Sequence, residues 1–143
     1  CYAAEGLYVA GNYFNNEEYL KASKKATSYL FRIQNQNGGI PELYKNDGLI
    51  KFERTDILAQ ALRMGVLFSN EISKDKLEKL AKRLLEFQNL NEGQKGGFIY
   101  GYDDSGRKYK HVNSWCTMFF LQALELYKQR LENKLKFDGF LMV

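Results

Sequence analysis

A chain of 143 residues, 45% hydrophobic and 27% charged, has the length and composition of one soluble globular domain with a core of its own. No run of 18 apolar residues is present, which excludes a membrane-spanning helix, and two cysteines (Cys1, Cys116) exclude a disulfide framework or a zinc site of the usual spacing. The net charge of +4 is mild, and the lysines are spread over helix faces, which argues against nucleic acid as a partner.

Free cysteines fit a reducing, cytoplasmic compartment, and Glu5 interrupts the apolar stretch that a signal peptide would need. The first residue is not Met, so a chain either processed or cut from something longer is expected. Aromatic residues make up 15% of the chain, with ten Tyr and ten Phe, more than helix packing alone requires.

Residues 1–14 are apolar at 3, 4, 7, 8 and 10, a helical stripe that starts without a cap. Asn15-Asn16-Glu17-Glu18 predicts the start of a second helix, with Asn15 as cap and Glu18 three residues on. That helix is expected to reach Gln34 and to bury Leu20, Ala26, Tyr29, Leu30 and Ile33. Gly38-Gly39 and Pro41 stop it. A hairpin turning at Asn46-Asp47-Gly48 follows.

Thr55 or Asp56 is expected to cap a third helix to Phe68, and Ser73 a fourth to Gln88. A second hairpin turns at Asp103-Asp104-Ser105-Gly106, and Asn113 or Ser114 caps a fifth helix to Leu131. The tail ends in Phe140-Leu141-Met142-Val143, expected to pack back on the body.

These elements repeat. Gly38-Gly39 and Gly96-Gly97 are each followed by a hairpin and then a helix, with Gln-Ala-Leu at 60–62 and 122–124. Glu5-Gly6-Leu7 takes the equivalent place in the first helix, and Gln34 and Gln88 close the two partner helices. A repeat of two antiparallel helices cannot bury its faces alone and must stack on neighbours. The expected fold is therefore all-α, antiparallel helix pairs with short β-hairpins between them, in a single domain of about two and a half repeats (1–37, 38–95, 96–143). An open array of this kind leaves apolar edges, which predicts self-association or packing against a missing N-terminal part.

Lys25-Ala26, Tyr29-Leu30, Gln34 and Gly38-Gly39-Ile40 resemble the glutamine-tryptophan repeat of terpenoid cyclases, with Ile40 in place of the tryptophan. The second copy keeps Leu84, Gln88, Gly96 and Gly97, with Phe98 at that place. More broadly the chain looks like part of an α/α toroid, the class of terpenoid cyclases and prenyltransferases and of six-hairpin glycosidases, polysaccharide lyases and sugar epimerases. The resemblance implies a ring of which this chain is the closing portion. It also implies an active face where the inner helices begin, at 51–56 and 108–115.

Several residues there carry chemistry. His111, the only histidine, suits proton transfer near neutral pH, with Tyr109 or Asp56 as its companion; the alternative is a loop histidine bonded to the next helix. Glu53 and Asp56 flank Arg54, and paired carboxylates can cleave a glycosidic bond; the alternative is a helix cap and a surface ion pair.

Tyr100, Tyr102, Tyr109 and Trp115, with Tyr44 and Phe52 in the first copy, supply faces that stack on sugar rings, isoprenoid chains or cations. Trp115, on the first turn of its helix, is the one of these most expected in the core. Arg54, Lys108 and Lys110 can hold a carboxylate or sulfate. Asp103-Asp104 aligns with a turn in the first copy and is read as a turn, so no metal and no cofactor is expected.

The favoured function is a protein that acts on or binds an oligosaccharide or polysaccharide bearing acidic groups. A terpenoid or prenyl enzyme, with an apolar cavity lined by Phe52, Phe98 and Trp115, and a non-catalytic interaction module are the alternatives.

Overall fold

Asn16 opens the second helix: its side chain accepts bonds from the backbone N–H of Glu18 and Tyr19, at 3.0 and 3.2 Å. The cap falls one residue later than expected because Asn15 sits in the left-handed region (φ 52°), which a short polar side chain tolerates. The computed structural model describes residues 1–41, 43–45, 48–50, 52–103 and 105–134, with side chains described outside 42–50. The turn residues Asn46, Asp47 and Asp104, the side chain of Tyr44, Lys51 and the tail from 135 lie outside the described residues.

Among the described residues five helices dominate: α1 (Tyr2–Tyr13), α2 (Glu17–Arg32), α3 (Thr55–Leu67), α4 (Lys74–Leu85) and α5 (Ser114–Leu131). Four short strands accompany them: β1 (Leu43–Lys45), β2 (Gly48–Ile50), β3 (Glu53–Arg54) and β4 (Gly101–Tyr102). β1 and β2 form the first hairpin, with Lys45 opposite Gly48. β3 pairs with β4, Glu53 opposite Tyr102 and Arg54 opposite Gly101. This second pairing joins the two repeats, and Gly101 is required there because a Cβ would lie 2.1 Å from the Glu53 carbonyl oxygen.

Contacts between helix ends establish their directions. Tyr2, Asp56 and Trp115 meet where α1, α3 and α5 begin. Tyr8 packs on Phe68, and Arg130 donates to Ser69, where those helices end. The three helices therefore run the same way. α2 returns against α1, with Leu20 on Gly11 and Ser23 donating to the Ala4 carbonyl at 2.6 Å. α4 returns against α3, with Leu77 on Gly65 at one end and Arg83 on Glu53 at the other.

α3 is the central helix. Every residue from Thr55 to Val66 except Ile57 is buried. The core around it includes Phe31, Ile40, Leu58, Leu62, Leu80, Leu84, Phe87, Phe98, Phe120 and Ala123. Ile40 and Phe98, the residues at the repeat's tryptophan position, are both fully buried.

Two features depart from the periodicity. α2 buries Ser23, Thr27 and Phe31, not Ala26 and Tyr29. Small side chains let α1 and α2 approach closely, and each hydroxyl is satisfied by a backbone carbonyl, so polarity does not keep them outside. α3 starts without a side-chain cap: Thr55 Oγ1 donates to the Ile99 carbonyl and Asp56 pairs with Arg54. Ser73 and Asn113 cap α4 and α5 as their sequence positions suggest.

The two glycine pairs make matching hydrogen bonds. Asn35 N–H donates to the Gly39 carbonyl at 2.8 Å, and Asn89 N–H to the Gly97 carbonyl at 2.7 Å. Gly38 (φ 90°) and Gly96 (φ 95°) take the same left-handed conformation just before. Most tellingly, Glu5, Gln60 and Gln122 converge. Gln60 Nε2 donates to Glu5 Oε2 at 2.8 Å, Arg63 Nη1 donates to Gln122 Oε1 at 3.0 Å, and Arg63 Nη2 lies 2.7 Å from Glu5 Oε1. That last contact is a charge contact off the N–H direction, since Glu5 Oε1 and Gln60 Oε1 both lack an aligned hydrogen-bond donor.

Candidate ligand-binding face

The helix starts of α1, α3 and α5 carry a chain of polar contacts. Arg54 grips Asp56 through both carboxylate oxygens, Nε at 3.1 Å and Nη2 at 2.7 Å. The Tyr2 hydroxyl donates to Asp56 Oδ2 at 2.9 Å, and Trp115 Nε1 donates to the Tyr2 hydroxyl at 3.1 Å. Asp56 is fully buried, whereas the Arg54 side chain is a quarter exposed. Burial, together with the bond to Asp56, raises the Tyr2 phenol above its ordinary range, against the opposing Trp115 bond. Behind this row, burial and then the Asp56 charge push the Cys116 thiol up to about 11.

Beside it stands an aromatic group. The Arg54 guanidinium lies 4.9 Å over the Tyr100 ring. Tyr100 stacks on His111 and meets Tyr109 edge-on, and Tyr109 meets both His111 and Phe52 edge-on. These contacts arise because Tyr109 N–H donates to the Gly101 carbonyl, and Ile99 bridges to Val112, folding 107–112 back over the strand. His111, Lys108 and Lys110 are exposed, and among the described residues neither lysine has an ion-pair partner.

Trp115 is 54% exposed rather than core. Its ring meets Phe119 at an interplanar angle of 62°, and its indole N–H donates to the Tyr2 hydroxyl. Arg54, Asp56, Tyr100, Tyr109, His111 and Trp115 thus belong to connected contacts at one end of the helices.

Glu53 and Tyr102 belong elsewhere. Glu53 is buried, and its Oε2 receives Arg83 Nε at 2.8 Å and Nη2 at 2.7 Å, while Asn35 reaches Oε1 at 3.4 Å. Arg83 lies over Tyr102 at 4.9 Å and Phe87 meets the same ring edge-on. The two carboxylates therefore take different partners and are not brought together as an acid–base pair. Adjacent strand residues point to opposite faces, which is why the two sets separate.

Asp103 is a turn residue: its Oδ1 accepts from Ser105 N–H and from Arg107 N–H, and its Oδ2 from Arg107 Nε. Those bonds, the Ser105 hydroxyl foremost, hold its carboxyl below the usual range. Among the described residues no group of three His, Cys, Asp or Glu is placed to hold a metal ion.

Tyr2 and Arg83 were not legible as site residues. Tyr2 is 113 positions from Trp115, and nothing local in the sequence signals that contact. Among the described residues no helix is long and apolar enough to cross a membrane. Comparison with family models, curated proteins and solved structures finds no match for this chain.

Proposed function

We propose that this chain is part of an α/α-toroid-like helical repeat protein that binds a saccharide bearing acidic groups. The binding face is the one formed by Arg54, Tyr100, Tyr109, His111 and Trp115, with Lys108 and Lys110 at its rim. The observation that carries this reading is Trp115. A large aromatic side chain is left exposed while its indole N–H is tied to Tyr2, so the ring is held in place with surface to offer. Sugar rings present C–H faces to such a platform, and the nearby Lys108 and Lys110, which have no ion-pair partner among the described residues, suit carboxylate or sulfate.

The parallel run of α1, α3 and α5 with α2 and α4 returning supports the toroid reading. Both carboxylates are occupied by guanidinium groups, which favours binding over catalysis by Glu53 and Asp56. His111 is the group left for acid–base work. The terpenoid reading is weaker, because Phe98 is buried against Phe120 and does not line a wall with Phe52 and Trp115.

A panel of acidic and neutral polysaccharides, titrated against the emission of the single tryptophan, tests the proposal. A saturable change with an acidic saccharide, weakened by salt and by Lys110→Ala or Tyr109→Ala, is expected. No saturable response from any member of the panel would sink it. If turnover is found, His111→Ala should abolish it, and unchanged turnover would remove His111 from the chemistry.

A further inference from the structure

A cleft of about 640 Å³ opens between the loop after α2 and the second hairpin, on the Glu53 side of β3. Asn35, Gln36 and Asn37, from the loop after α2, line one side. Tyr102, Asp103 and Ser105, from the second hairpin, line the other. Buried Glu53 and half-buried Arg83 also line it. The volume lies within the range of small-ligand sites, and a hydrogen-bonded charge pair gives the cleft fixed polar walls.

The decisive feature is the charge pairing. Glu53 is bound by Arg83, and Arg83 also by Glu86. Asp103 is bound by Arg107 and Ser105. An ionic ligand would have to compete with one of these pairs, whereas an uncharged one would not. Among the described residues the capacity that remains is in the amides, with the Tyr102 hydroxyl on the opposite wall. Among the described residues the Gln36 side chain makes no hydrogen bond, Asn37 uses only Oδ1, on Gly39 N–H, and Asn35 makes one long bond. Primary amides both donate and accept, as vicinal hydroxyls do.

We propose that this cleft is a second binding site, for an uncharged polyhydroxylated ligand such as a neutral oligosaccharide segment. It recognises hydroxyl groups through Asn35, Gln36 and Asn37. The proposal does not rest on the acidic ligand assigned to the aromatic face.

The test is nuclear magnetic resonance of the 143-residue chain, in which side-chain NH2 signals of Asn and Gln are read directly. The probes are cellohexaose, maltohexaose, mannohexaose and xylohexaose. At least one should shift the Asn35, Gln36 and Asn37 amides saturably, with an affinity independent of salt. Gln36→Ala, an exposed loop change, should weaken it about fivefold, the worth of one hydrogen bond, and Ser105→Ala serves as a second probe of the opposite wall. Trp115→Ala should leave it unchanged, which separates this cleft from the aromatic face. The proposal is overturned if no hexaose shifts those amides, if the affinity falls with salt, if Gln36→Ala and Ser105→Ala both bind as tightly as the parent, or if Trp115→Ala abolishes the shift.

Discussion

Gly38 and Gly96 have the same place in the repeat and nearly the same backbone, but different surroundings. A Cβ on Gly38 would lie 2.3 Å from the Lys79 carbonyl oxygen, whereas a Cβ on Gly96 meets nothing within 4 Å. Gly96→Ala should therefore cost only the left-handed strain, about 1–2 kcal/mol. Gly38→Ala adds overpacking against backbone and should cost about 3–5 kcal/mol in all. Denaturant midpoints of the two variants check this, and equal losses would contradict it.

Glu5 makes a second residue-scale case. Burial outweighs Arg63 and Gln60 and raises its carboxyl, and burial likewise lowers Arg63. Each partner loses more by leaving water than it gains from the other, the usual balance for a buried pair. A raised carboxyl keeps its proton in the folded chain after the unfolded chain has released it. Its contribution to stability is thus full below the unfolded carboxylate value and is lost as pH rises through the folded one. Glu5→Leu alone should cost about 3–5 kcal/mol by stranding Arg63, while Glu5→Leu with Arg63→Met should be neutral or stabilising. Thermal melts of the single and double variants at several pH values separate these outcomes.

At the scale of elements, the helices divide by what starts them. Asn16, Ser73 and Asn113 cap α2, α4 and α5 through their side chains. Asn16→Ala and Asn113→Ala should each cost about 1 kcal/mol and should add in the double variant, because the caps share no partner. α3 has no such cap. Its start is held by tertiary bonds, Thr55 N–H to the Tyr100 carbonyl and Thr55 Oγ1 to the Ile99 carbonyl. Amide exchange should find α3 the slowest helix, since it is buried on nearly every side, and faster exchange in α3 than in α1 would contradict the packing described.

At the scale of the molecule, two apolar surfaces lie at opposite ends of the helix order. One is an open groove of about 670 Å³ between α1 and α2, lined by Ala3, Ala22, Ala26, Tyr29 and Leu30 among others. The other is the outer side of α5, where Met118, Leu121 and Leu131 are exposed. A chain with both should associate with itself as concentration rises, and sedimentation measures this. A monomer at the highest soluble concentration would contradict it, as would association that Leu121→Glu and Ala26→Glu leave untouched.

What the sequence determined by itself is what local chemistry decides. The left-handed glycine at 38 and the caps at 73 and 113 are read from neighbours a few residues apart, and they stand in the structure. Glu5, Gln60 and Gln122 recur in register in the sequence, and the fold links them through Arg63 into one largely buried network. Tertiary structure alone decided the rest. Ser23 is buried because the neighbouring helix supplies the Ala4 carbonyl, Thr27 because Ser23 one turn back in its own helix supplies another, and Trp115 stays 54% exposed among the described residues. Glu53 and Asp56 look like a pair at three residues' spacing. They part because Arg83, 30 positions away, and Arg54, two positions away, claim them on different sides of a strand. Long-range partners of this kind leave no periodic trace, so the division into an aromatic face and a polar cleft emerges only from the packed chain.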